Sequence, residues 1–112
     1  MEHVDTLTSV ITDLGGEPVA EAEYEFGYAD LVGFVGVAQA LENTGVSAYQ
    51  GAAQFLIDED ELLTAALTIH GVEARHASYL NGLNGASPFP DAVNPTLTPD
   101  EVLAIAGPFI VS

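Results

Sequence analysis

Residues 31–57 read LVGFVGVAQALENTGVSAYQGAAQFLI, a stretch in which Glu42 is the single charged side chain. Alanine, valine, leucine and glutamine dominate it, a composition typical of a helix that is buried on most sides. Its glycines each cost a helix about 1 kcal/mol relative to alanine, but they let a neighbouring helix approach closely. The stretch therefore predicts a long, largely buried helix over residues 31–57.

A second long helix is predicted directly after it. Residues 58–61 are the acidic cluster DEDE, and the helix dipole favours negative charge at a helix start. The cluster lacks the glycine and the alternating ligands of a calcium loop. The apolar residues that follow recur at helical spacing as far as Gly82 or Gly85; they are Leu62, Leu63, Ala66, Ile69, Val72, Ala77 and Leu80.

The chain before residue 31 predicts a short amphipathic helix and a connection. Gly15 and Gly16 stop that helix where a left-handed cap forms easily. Residues 17–30 carry five carboxylates and predict a solvated connection, held onto the core by Val19, Tyr24 and Phe26. The spacing that predicts the helix is that of Val4, Leu7, Val10, Ile11 and Leu14.

The C-terminal part predicts an irregular strap and one more helix. Residues 86–99 contain four prolines and cannot continue a helix. Thr98 followed by Pro99 predicts an N-cap with proline at the first helical position, and Glu101 completes a capping box. The chain is therefore expected to be all-α, with residues 1–112 forming a single domain.

Composition narrows the classes of function. The chain has no cysteine, which excludes disulfides, thiolate metal sites and cysteine nucleophiles. Seventeen Asp and Glu face a single Lys or Arg, giving a net charge of −16. Such a chain is repelled by nucleic acid and by anionic membrane surfaces, so neither is expected as a partner. A lysine-free, acid-coated chain is typical of a halophilic source, which we expect here.

Neither a membrane span nor a signal peptide is predicted within this chain. The uncharged stretches 31–41, 43–57 and 62–72 are shorter than the roughly 20 apolar residues that a spanning helix needs. Met1 is followed at once by Glu2, without the basic region of a signal peptide.

Glu73 and His76 form the sharpest local pattern, Glu-x-x-His. Residues three apart lie on one helix face, and helical bundles use this spacing to present a carboxylate and an imidazole to a pair of iron or manganese ions. The alternative is a surface glutamate beside a hydrogen-bonded histidine, because the pattern is common by chance.

Glu42 strengthens the metal hypothesis. An isolated buried carboxylate costs several kcal/mol unless a cation, a metal ion or a proton compensates it. We therefore expect the carboxyl groups of Glu42 and Glu73 to lie close enough to share a metal. In the alternative interpretation, Glu42 faces solvent on a polar stripe beside Gln39 and Asn43.

Three further residues are candidates with less specific patterns. His3 is a further candidate ligand. The alternative is a surface histidine at the frayed N-terminal end of the first helix. Tyr49 lies two helical turns after Glu42 and could cover the same site, although the pattern favours a core tyrosine with its hydroxyl group hydrogen-bonded. His70 precedes Glu73 by one turn and could support it, although a helix-surface histidine is the simpler interpretation.

These motifs resemble a known family. Residues 41–85, LENTGVSAYQGAAQFLIDEDELLTAALTIHGVEARHASYLNGLNG, resemble the second helical hairpin of the ferritin-like domain of the desiccation-related, exported bacterial and archaeal type. Residues 2–19 are similar to the end of that family's second helix and the following loop, and residues 88–111 look like its C-terminal strap. The runs GVEARHA and TGVSAYQGAA are the most specific parts.

The resemblance implies a bundle with a di-metal site of iron or manganese. Glu42 matches the lone glutamate of the third helix, Glu73 and His76 match the pair on the fourth, and His3 matches the histidine of the second. The carboxylate three residues before that histidine, and the glutamate of the first helix, have no counterpart here. The resemblance thus implies an incomplete bundle, without the first helix and the start of the second.

Three functions remain open at this point. The missing ligands favour a structural or stress-associated protein without enzymatic turnover, with at most a residual di-metal site. The alternative is an iron- or manganese-binding protein with oxygen or peroxide chemistry, completed by a partner chain or by an N-terminal helix. The third is an interaction subunit of a larger assembly. The expected partners are a second copy of the chain, or the N-terminal helices of a longer protein, which the resemblance implies is exported.

Overall fold

The computed structural model describes residues 2–112 as a small helical bundle with a covering C-terminal segment. The long helices α2 and α3 lie side by side and antiparallel, with Asn43 opposite Asn81. α1 packs against α3, and α4 packs against α2. The all-α prediction is confirmed for these residues. Their helices are α1 Glu2–Asp13, α2 Leu31–Ala53, α3 Asp60–Leu83, α4 Pro99–Ala106 and the 3-10 helix Gly107–Phe109.

The core is small and lies mainly at the contact between α2 and α3. Small side chains dominate it, which lets the two helices approach closely. The accessible surface of 7632 Å² exceeds by about 1,800 Å² what a compact monomer of 11.6 kDa exposes. Much apolar surface is therefore left uncovered by the described residues. The buried apolar residues are Val46, Ala65, Ala66, Ile69 and Ala77.

The helix ends confirm the local signals in the sequence. Gly15 adopts a φ of 80°, and the Gly16 N–H donates to the Ile11 carbonyl at 2.8 Å, which closes α1 with a left-handed cap. α3 begins inside the acidic cluster, as predicted. Thr98 and Glu101 form the predicted capping box at the start of α4.

The helix predicted over residues 31–57 is shorter and less buried than expected. α2 ends at Ala53 because the chain must reverse there to lie antiparallel to α3. Phe55 therefore lies exposed in the turn. At the N-terminal end of α2, Leu31 and Val32 are exposed. Two helices contact α2, namely α3 and α4, and neither covers this end of it.

The connection over residues 17–30 is held differently from the prediction. Val19 is 96% exposed and contributes nothing to the core, so that part of the prediction is wrong. Instead Tyr24 forms an antiparallel bridge with Ile110. The Glu25 N–H donates to the Phe109 carbonyl at 2.8 Å. An extended segment needs partners for its backbone donors and acceptors, and the C-terminal residues provide them.

The proline-rich strap, residues 86–98, is seated on the outer side of α2 and α3. The Leu97 N–H donates to the Ser47 carbonyl at 3.1 Å. Gly51 permits this close approach, since a Cβ there would lie 2.1 Å from the Leu97 carbonyl oxygen. Among the described residues, no helix is both long enough and apolar enough to cross a membrane.

Candidate metal centre

Side chains from three helices meet at one place on the pair formed by α2 and α3. Glu42 lies in the middle of α2, and α3 contributes Glu73 and His76 from one face. One potential ligand atom from each of these three residues lies within 4.8 Å of the others. α1 brings His3 to the same cluster, where its Nδ1 lies 3.0 Å from Glu73 Oε1.

The cluster is centred on the two carboxyl groups. His76 Nδ1 lies 3.3 Å from Glu42 Oε2 and 3.9 Å from Glu73 Oε2. The rings of His3 and His76 are nearly parallel, with centroids 6.5 Å apart. Two imidazoles and two carboxyl groups thus face one small volume.

Burial is graded across the cluster. The Glu73 side chain is 14% exposed, whereas the His76 side chain is 51% exposed. Glu42 is intermediate, with 27% of its side chain exposed. The carboxyl groups therefore lie at the inner side of the cluster, and His76 lies at its opening to solvent.

Glu42 carries the strongest electrostatic perturbation. Desolvation by burial raises its pKa to about 8, and the charge of Glu73 adds to the effect. Near neutral pH Glu42 therefore keeps its proton. Burial also raises the pKa of Tyr49, and the negative charge of Glu73 adds to this effect. Tyr49 therefore lies within the electrostatic field of the cluster.

Comparison with known families identifies the fold around this cluster. The profile of the ferritin-like domain matches residues 1–86. The chain belongs to the ferritin-like domain family. The match covers α1 to α3 with all four clustered residues, and it ends before most of the strap and α4. No curated protein matches the chain.

Ferritin-like domains build metal sites from side chains on facing helices, and the residues here fit such a group. Glu42 Oε2 is buried, and it has no hydrogen-bond partner among residues 2–112 because its contact with His76 lacks hydrogen-bond geometry. A buried carboxyl oxygen without a partner is costly, and a cation bound there removes that cost. Carboxylate oxygens combined with imidazole nitrogens suit iron, manganese or zinc better than magnesium.

The predicted candidates occupy different places relative to the cluster. Glu42, Glu73, His76 and His3 come together, so the solvent-facing alternative for Glu42 is wrong. His70 lies one turn before Glu73, and its Nε2 is buried without a hydrogen-bond partner among the described residues. His70 is therefore partly buried, with one ring nitrogen shielded from solvent.

An amide ladder joins α2 and α3, which the sequence-based expectations do not include. Gln39 Nε2 and Asn43 Nδ2 each donate to Asn81 Oδ1 at 2.9 Å, and Asn84 donates to Gln39. The alternative interpretation of Glu42 places Gln39 and Asn43 on a solvent-facing stripe, whereas their side chains bond to α3. The recurrence of amides four residues apart in α2 was the available signal, but the facing amides in α3 depend on interhelical register.

Proposed function

We propose that this ferritin-like domain binds iron or manganese through Glu42, Glu73 and His76, with His3 as a further ligand. The observation that carries the proposal is the buried, unpartnered oxygen of Glu42 inside a cluster of ligand atoms. A purely structural cluster would be expected to pair that oxygen with a donor. This favours the metal-binding alternative over a role without metal.

The residues would divide the work by position. Glu42 and Glu73 supply anionic oxygens from the inner side, and His76 supplies Nδ1 from the solvent side. His3 contacts Glu73 Oε1 and fixes the orientation of that carboxylate. A bound iron or manganese ion supplies one-electron chemistry toward oxygen or peroxide. His76, the most exposed member, marks the side from which small molecules reach the cluster.

The proton held by Glu42 couples binding to pH. A carboxylate must be deprotonated to act as a ligand, so binding displaces the proton that Glu42 holds. Until then the proton reduces the repulsion between the two carboxyl groups.

A structural or stress-associated role of the desiccation-related type is the second candidate. One observation favours it: the cluster has two carboxylates, whereas di-iron bundles of this fold use four together with two histidines.

Two copies of the chain facing each other would supply four carboxylates. The uncovered surface of about 1,800 Å² is large enough for such an interface and supports a second copy as the partner.

Metal analysis of the purified protein tests the proposal. Protein prepared without chelator is expected to carry iron or manganese, and added Mn²⁺ or anaerobic Fe²⁺ is expected to raise the melting temperature. At a hundred times the dissociation constant, the ion stabilises the fold by about 2.7 kcal/mol. For a chain of this length that corresponds to roughly 10 °C.

Substitutions separate site binding from general attraction to an acidic surface. Glu42→Gln and Glu73→Gln are expected to abolish the thermal shift. Glu61→Gln removes the same charge from an exposed position in the first turn of α3 and is expected to keep it. Equal shifts in all three variants, or a metal-free native protein that never responds, would favour the structural role.

A further inference from the structure

A cavity of about 280 Å³ lies between α2, α3 and the strap, separate from the cluster around Glu42 and Glu73. Asn43 and Ala74 line it, each one residue after a cluster residue. Consecutive helix residues point about 100° apart, so the cavity and the cluster use different faces of the same two helices. The volume is near the lower end of ligand pockets and suits one ring-sized molecule.

The strap is held firmly over this cavity. Leu97 is hydrogen-bonded to Ser47, and Gln50 Nε2 donates to the Asn94 carbonyl at 3.3 Å. The capping box at Thr98 fixes the end of the strap where α4 begins. The C-terminal half of the strap is thus held to α2 by hydrogen bonds, which favours a preformed pocket on that side.

The buried floor of the cavity offers hydrogen-bonding groups that the protein does not use. Asn81 is 5% exposed and lines the cavity. Within residues 2–112, the amide ladder occupies both lone pairs of Asn81 Oδ1 but only one of its two N–H donors. It also leaves one lone pair of Asn43 Oδ1 free. One amide N–H of Asn81 and one lone pair of Asn43 Oδ1 are therefore unused by the protein, at two residues that line the cavity.

The remaining lining combines hydroxyl, amide and carboxylate groups with an apolar wall. The wall comes from Phe89 and three prolines of the strap. The aromatic ring offers a flat apolar face. The polar side chains include hydrogen-bond donors and acceptors, so they can bind hydroxyl groups in either role. The polar side chains of the lining are Asn43, Ser47, Ser78, Asn81, Asp91 and Asn94.

Charge selects among ligands of this shape. The lining contains no basic residue, and the net charge of −16 repels phosphates and carboxylates. Asp91 is the single carboxylate, which is too few for a calcium site that depends on several acidic ligands. A neutral molecule with several hydroxyl groups and one C–H face satisfies both the polar floor and the aromatic wall.

We propose that the cavity between α2, α3 and the strap binds a neutral polyhydroxylated ring molecule, of the size of a single sugar ring. Asn43 and Asn81 accept and donate hydrogen bonds at the floor, Asp91 accepts from hydroxyl groups at the rim, and Phe89 covers the apolar face. The site works independently of the metal cluster.

Titration of the full chain with glucose, followed by NMR, tests the proposal. The side-chain amide signals of Asn43 and Asn81 are expected to shift and saturate in the millimolar range. Glucose 6-phosphate, which adds a negatively charged phosphate group to the same ring, is expected to bind at least tenfold more weakly. Absence of saturable shifts with glucose, or equal binding of the phosphate, would overturn the proposal, as would the same shifts on adding Ca²⁺ alone.

A matched pair of variants locates the site. Phe89 and Phe55 are similarly exposed, at 78% and 74%, but only Phe89 lines the cavity. Phe89→Ala is expected to weaken glucose binding at least tenfold, and Phe55→Ala is expected to leave it unchanged. Equal effects in the two variants would show that the sugar is not bound in this cavity.

Discussion

Replacing Glu42 by glutamine should stabilise the metal-free protein, and only above acidic pH. Folding raises the pKa of Glu42 from 4.5 to about 8. Below pH 4.5 the side chain is protonated in both states and costs nothing. Between pH 4.5 and 8 the unfolded chain releases this proton while the folded chain keeps it, so the free energy of unfolding falls as pH rises.

The size of the effect follows from the pKa values and the exposure of the side chain. Each pKa unit is worth about 1.4 kcal/mol, so the full difference would be about 5 kcal/mol. Solvent reaches 27% of the Glu42 side chain and screens part of this, so we expect about 2 kcal/mol above pH 8. Glutamine keeps the size of the side chain but does not ionise.

Urea unfolding of both proteins with a chelator, at constant molar salt from pH 4 to pH 9, measures this difference. The variant and the native protein should be about equally stable at pH 4, and the variant should gain steadily up to pH 8. Taking the difference cancels the other titrating groups. A difference that is constant with pH, or a variant that is less stable at pH 8, would refute the assigned burial and pairing of Glu42.

Metal affinity should fall about tenfold for each pH unit below 8, because the ion must displace the proton on Glu42, and calorimetry in two buffers should detect that proton. In the same urea assay, Gly51→Ala should destabilise the fold by about 2 kcal/mol, because the added Cβ would clash with Leu97. Gly36→Ala should stabilise the fold by up to about 1 kcal/mol, because a Cβ there has no heavy atom within 4 Å. The melting temperature should rise steeply from low to molar KCl, since the Debye length shrinks to about 3 Å and screens the net charge of −16; a flat response would contradict a halophilic origin. Light scattering in high salt should give at least twice the monomer mass of 11.6 kDa, and a stable monomer would contradict an interface over the uncovered surface.

The elements whose signals are local could be predicted from the sequence. The left-handed cap at Gly15 and the capping box at Thr98 depend on residues within a few positions of each other, and both occur where expected. The convergence of Glu42 with Glu73 could be anticipated because a lone carboxylate in an apolar helix needs a partner. That argument rests on the cost of burial and requires no knowledge of interhelical register.

Features that depend on distant pairing could not be predicted in the same way. Tyr24 bridges Ile110 across most of the chain, and no pattern around residues 17–30 specifies the C-terminus as its partner. The facing amides of Asn43 and Asn81 depend on how α2 slides along α3, which the periodicity of each helix leaves open. The radius of gyration of 14.7 Å also exceeds the roughly 13 Å expected of a compact chain of this length, because part of the apolar surface has no cover among residues 2–112.

The attachment of α1 has a consequence for how the cluster opens. α1 packs on α3 and has no other helical neighbour among the described residues, and at the cluster it is joined through His3 and Glu73. Helices with few buried contacts detach locally at a small fraction of the free energy of global unfolding. Release of α1 would carry one imidazole away and leave Glu73 open to water. Amide hydrogen exchange in α1 should then change with the occupancy of the cluster by a metal ion. In this way α1 would control the access of water to the inner carboxylates.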